Sequence, residues 1–173
     1  LPDGRSVSLQ ASGLNTSGPY SLIAVGVKDT SGNVMGAKSI KVVMPLTLPI
    51  RIDVGGIAST GYLADSVWSF SSQYGAVGGR VVQQPPTVDI AGTTEDSMYR
   101  SARVGLSSYK VRVPTDLKYN VTLLLAEPQY QAAGKRAFDV IVNGSPARRI
   151  DICQQVGLNT ALQSAFSGIT APD

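Results

Sequence analysis

Residues 109–125 read YKVRVPTDLKYNVTLLL, and their alternation decides the fold class. In the first half Tyr109, Val111 and Val113 share one face, with Lys110 and Arg112 on the other, the period of two that belongs to a strand. After the proline, Tyr119, Val121, Leu123 and Leu125 point inward, and Asn120 falls on the solvent face. Downstream, residues 138–142 (FDVIV) run into Asn143-Gly144, a dipeptide that tolerates positive φ at both positions and so predicts a hairpin turn. Upstream, residues 50–54 make a short apolar strand. Nearer the start, residues 20–29 (YSLIAVGVKD) and 37–43 (AKSIKVV) flank Ser31-Gly32-Asn33 and read as a β-hairpin. Residues 160–166 are expected to hold a helical turn. The expected architecture is all-β, an antiparallel β-sandwich of jelly-roll type preceded by a hairpin. Pro45 and Pro49 bracket MPLTLP, an extended linker, because proline fixes φ and supplies no donor.

Composition excludes several chemistries. The 173 residues are enough to bury a core, and the 18 glycines and 10 prolines fit many turns between short strands. There is no histidine, which removes Ser-His-Asp and Cys-His nucleophile pairs and the usual zinc and iron sites. The single cysteine, Cys153, forms no internal disulfide and reads as a small buried apolar residue. A net charge of +3 is scattered without a basic stripe, so nucleic acid is not an expected partner. No cofactor and no metal is expected. Glu95, Asp96, Glu127 and Asp139 are the acids that could form a glycosidase pair, but each reads better as a solvated or structural group. The expectation is a non-enzyme.

Two resemblances follow from the motifs. Up to the proline pair, the Y-x-L-x-A-V-x-V-x-D-x-x-G-N pattern resembles the last strands of an immunoglobulin-like extracellular repeat, which assigns residues 1–47 to the end of such a domain. From Ile52 the motifs run IDVGG, then YLADSVWSFSSQYGAVGG (62–79), IAGTTEDSMYRSARVG (90–105), YNVTLLLAEPQY (119–130), KRAFDVIVNG (135–144) and IDICQQVGLNTAL (150–162). Their order resembles the malectin family, over residues 48–173. That resemblance implies a β-sandwich with a sugar pocket built by loops at one end, in proteins of the endoplasmic reticulum lumen or the cell exterior.

The resemblance also implies a site. A sugar pocket needs flat aromatics for the C–H face and a few polar groups for the hydroxyl rim. Tyr74 and Tyr130 match pocket aromatics and are expected near each other. Gln129 takes the place of a neighbouring aromatic, another pocket tyrosine falls on Val104, and Glu127 stands in the same loop, where it reads as a partner of loop amides. Tyr99 reads as packing and Arg103 as pairing with Glu95 or Asp96. Trp68 reads as a core or loop anchor.

The expected partner is a glycan, of glucose type or a cell-wall polysaccharide. The alternative is a structural or adhesive module that contacts neighbouring protein domains. Sequons at Asn15, Asn120 and Asn143 imply an extracellular, cell-surface or secretory-pathway glycoprotein, with Asn120 the favoured carrier. The family's pocket Asp and its last strands would follow Asp173. The expectation is therefore that the remainder of a longer chain, or a strand-completing partner, covers the open side after residues 138–142 and 150–152.

Overall fold

A computed structural model describes residues 10–12, 14, 19–44 and 46–171. The chain is all-β, as its alternation predicts, and the strands associate in pairs. The first pair is the predicted hairpin, β1 (Pro19–Ala24) against β2 (Lys38–Val43), with Leu22 opposite Ile40 and Tyr20 opposite Val42. Its turn is tied by Asp29, whose Oδ1 accepts from the Ser31 and Asn33 amides, both at 2.9 Å. The first strand is shorter than predicted and ends before Gly26, which adopts φ 67°.

The second part opens with β3 (Ile52–Asp53) beside β4 (Leu63–Ala64), a short parallel pair. The Gly-Gly turn of IDVGG is needed here. Gly55 has φ 91°, and a Cβ on it would lie 2.6 Å from the Ala102 carbonyl oxygen.

The longest ribbon pairs β5 (Tyr74–Gln83) with β6 (Ser101–Val111). Tyr109–Val111 of the opening stretch are the end of β6, while Arg112 and Val113 lie beyond it. The register slips between Val77 and Gly78, where Gly78, Gly79 and Gly105 all take φ near 75°. A bulge of this kind skips a residue and bends the ribbon. The segment before β6 forms a short 3-10 helix, Asp96–Tyr99.

The fourth pair sets β7 (Lys118–Leu125) against β10 (Leu162–Thr170), with Leu125 opposite Leu162. Residues 162–166 are therefore strand, not the expected helical turn. The pairing of Gln163 and Ser164 with Leu124 and Leu123 supplies backbone partners that a turn would lack. The helical turn instead occupies α1 (Ile152–Val156), capped by Asp151, whose side chain accepts from the Gln154 amide at 3.0 Å. The last hairpin joins β8 (Ala137–Val140) to β9 (Arg148–Asp151). Asn143 and Gly144 have the positive φ that the sequence predicts, and the Ser145 amide closes the turn onto the Val142 carbonyl at 2.9 Å. The core gathers Ala76, Ile90, Tyr99, Ile150, Ile152 and Phe166.

Candidate functional site

The loop that follows β7 is built around Glu127. This side chain is completely buried, although a carboxylate is costly to bury without partners. Its Oε1 accepts from the Gln129 and Tyr130 amides at 2.8 and 3.0 Å, and its Oε2 faces Arg136 Nη1 at 3.3 Å. Arg136 in turn donates to Gln129 Oε1 at 3.0 Å and lays its guanidinium over the Tyr130 ring, 4.9 Å from the centroid. The loop thus holds Gln129 exposed and Tyr130 half-buried at the surface.

A second loop closes on the first. The Asn159 amide donates to the Glu127 carbonyl at 2.9 Å, and the Ala91 amide donates to the Asn159 carbonyl at 2.9 Å. Asn159 takes φ 46°, a left-handed conformation in which Asn is favoured over most residues. Two buried side-chain oxygens have no hydrogen bond among the described residues, Glu127 Oε2 and Asn159 Oδ1, and both belong to this knot.

Tyr74 is not part of it. It opens β5 opposite Val111, nine positions before Gln83 and so about 30 Å along the strand from that end. Its hydroxyl donates to the Ala64 carbonyl at 3.0 Å, and burial raises its pKa above the ordinary phenol value. The Ala91 loop, bridged to Thr160, leads into the helix that precedes Ser101. Hydrogen bonds thus join Glu127, Gln129 and Tyr130, and among the described residues none joins Tyr74 to them. Val104 lies opposite Arg80, beside the glycine bulge.

Tyr74 instead borders a polar cluster that sequence reasoning missed. Asp65 accepts from Arg103 Nε at 2.5 Å, from the Tyr109 hydroxyl at 3.1 Å and from the Ser66 amide at 2.8 Å. Both members of the ion pair are largely buried. Burial and the Asp65 charge push the Tyr109 hydroxyl far above the ordinary phenol value. Next to this cluster, Asp53 accepts from the Ser101 hydroxyl at 2.6 Å, yet its pKa is raised, because burial outweighs that bond. The expected pairing of Arg103 with Glu95 or Asp96 is corrected. Asp96 binds Arg100 at 2.7 Å, one helical turn away, and that leaves Arg103 to reach Asp65 from the neighbouring strand. Asp65 carries no periodic or motif signal that marks it as a partner.

Tyr99 is buried, as its packing role predicts, and Trp68 is half-buried as a loop anchor. Asn120 is exposed on β7, and its Oδ1 accepts from the Gly168 amide at 3.4 Å. Asn143 is exposed, but its Nδ2 donates to the Thr170 carbonyl at 3.0 Å. Asn15 lies outside the described residues. Between β9 and β10 a shallow hollow of about 350 Å³ is lined by Pro146, Arg148, Phe166 and Ile169. No group of three or more His, Cys, Asp or Glu that could hold a metal ion occurs among the described residues.

Two solved structures similar to this chain are of larger enzymes. Bacteroides uniformis beta-glucuronidase 2, covalently bound to cyclophellitol-6-carboxylate aziridine, shares 18% identity at a TM-score of 0.61, over 88% of this chain and 19% of that one. A crystal structure of Bacteroides uniformis beta-glucuronidase gives 18% identity and a TM-score of 0.61, over 91% of this chain and 20% of that one. The chain spans about a fifth of the length of these enzymes, and the likeness is one of fold. No curated protein matches the chain. The family model of the malectin domain matches residues 51–171, well over half of the sequence, and the chain belongs to the malectin domain family.

Proposed function

We propose that this chain is a non-catalytic, lectin-like module that binds glycan through the loop 126–136, in a multidomain protein of the cell surface or secretory pathway. Carbohydrate binding is the general role of a malectin domain. The observation that carries the finer reading is the fully buried Glu127, which fixes the two amides behind Gln129 and Tyr130. A loop ordered in advance loses less freedom on binding. Tyr130 offers a ring for the C–H face of a sugar, and Gln129 offers an amide for its hydroxyls. The non-catalytic reading rests on the candidate acids. Asp96 and Asp139 are paired with Arg100 and Arg149, and Glu127 has no exposed surface from which to reach a glycosidic bond. A glycan screen over glucose oligomers and cell-wall polysaccharides, repeated with Tyr130→Ala, tests this. Binding that falls at least about tenfold in the variant is expected, and a screen without hits, or hits that ignore the substitution, would refute it.

A second reading is supported by the first hairpin. Its strands alternate so that Tyr20, Leu22, Ile40 and Val42 share one face, with Leu22, Ile40 and Val42 among the exposed hydrophobic residues. An isolated hairpin is marginal in water, so this face suits contact with further strands, as in the immunoglobulin-like repeat that the sequence resembles. In this reading the module is structural or adhesive, and the neighbouring domain is its partner.

A further inference from the structure

The loop between β4 and β5 presents Phe70 to solvent at 95% exposure, the highest value among the exposed large hydrophobic residues. This exposure is built into the loop. Arg112 donates from Nη2 to the Phe70 carbonyl and from Nε to the Ser72 carbonyl, both at 2.9 Å. The Ser69 amide donates to Ser72 Oγ at 2.9 Å, the Ser72 amide returns to the Ser69 carbonyl at 3.1 Å, and the Trp68 amide is tied to Ala76 at 2.9 Å. A turn held at so many points keeps the ring outward.

Two cations lie behind it. Arg112 sits 4.9 Å and Lys110 5.5 Å from the centroid of the Trp68 ring. Among the described residues neither has a carboxylate within 4 Å, and the ion pairs there are those of Arg100, Arg103, Arg136 and Arg149. The patch therefore combines an exposed flat ring, two cations without a carboxylate partner, and the exposed serines 69 and 71.

We infer that the loop 67–73 is a second carbohydrate contact, separate from the loop 126–136, and that its ligand is an acidic polysaccharide of the uronate type. The chemistry matches group by group. A pyranose face covers the Phe70 ring, the serine hydroxyls meet the hydroxyl rim, and the uronate carboxylate lies over Lys110 and Arg112. A membrane surface fits less well, since recognition of anionic lipid draws on clusters of four to eight basic residues. Nucleic acid would likewise call for a longer basic track.

Trp68 is the single tryptophan, so its fluorescence reports on this patch alone. The full chain is titrated with galacturonic acid oligomers, with a neutral glucan of equal length and with vesicles containing phosphatidylserine. The acidic oligomer should change the Trp68 emission, with an affinity that falls as salt rises. Phe70→Ala and Lys110→Gln should each weaken it about tenfold, and neither should alter the thermal transition, because both side chains are exposed. Tyr130→Ala should leave this titration unchanged, which separates the failure of one site from the failure of the other. The inference is overturned if the neutral glucan binds equally, if the vesicles bind in preference to the oligomer, or if Phe70→Ala and Lys110→Gln bind as the unaltered chain does.

Discussion

At the scale of single residues, buried carboxylates organise this protein, and each has a distinct expected signature. Replacing Glu127 by Gln keeps the shape but leaves Arg136 without its counter-charge and weakens two amide bonds. A loss of about 2–3 kcal/mol in urea unfolding is expected. Asp65→Asn breaks the ion pair to Arg103 and should cost about 3 kcal/mol by the same measurement. Asp151 differs from both. Its carboxyl is held below the ordinary value, first by the amide of Gly134 and then by that of Gln154. A depressed folded pKa contributes stability that is present above the unfolded value near 4, and that is lost as pH falls through the folded one. Asp53, raised by burial, has the opposite sign: its contribution favours acid and fades as pH rises through its folded pKa. The melting temperature of Asp151→Asn should therefore drop less than that of the parent between pH 5 and pH 2, and an unchanged acid limb would exclude the role given to Asp151. Glu127 as a partner of loop amides was legible from its place in a loop of small and polar residues. The Arg103–Asp65 pair was not, because 38 residues separate them and only the fold sets their distance.

At the scale of elements, alternation located β7 and β8 well, since each has one face covered and one wet, while β1 and β2 were legible from the turn residues between them. It failed at β10, where LQSAFSGIT mixes small and polar residues and the strand is specified by its partner β7. The Gly-Gly turn after β3 was legible as a motif, but its reason lies across the fold. At Gly55 the left-handed φ and the backbone of Ala102 both exclude a side chain. Gly55→Ala should lower stability by more than about 2 kcal/mol, read from chemical unfolding, whereas the same change at exposed Gly144 meets no atom within 4 Å and should cost less.

At the scale of the whole molecule, the first hairpin and the malectin domain are unequal in their burial. Nearly every residue from 20 to 43 is exposed, and a hydrogen bond from Gln73 Nε2 to the Met44 carbonyl at 2.9 Å ties the end of this segment to the domain. Limited trypsin digestion followed by mass spectrometry should cut first after Lys28, Lys38 or Lys41 and leave a fragment containing residues 51–171. Early cleavage at Arg100 or Arg103 would contradict this ordering. The glycine bulge in the β5–β6 ribbon has a consequence for how the domain opens. On one side of it Tyr74–Val77 pair with Ser108–Val111, on the other Arg80–Gln83 pair with Ser101–Val104, and Asp65 binds Tyr109 in the first flank and Arg103 in the second. The midpoint, Gly78–Gly79 and Gly105–Ser107, is exposed on both strands. Deuterium should therefore enter the middle of the ribbon first, and the two flanks, which Asp65 clamps together, at linked rates. The bulge then acts as a seam that one carboxylate staples shut, so that Asp65→Asn should quicken exchange in both flanks at once.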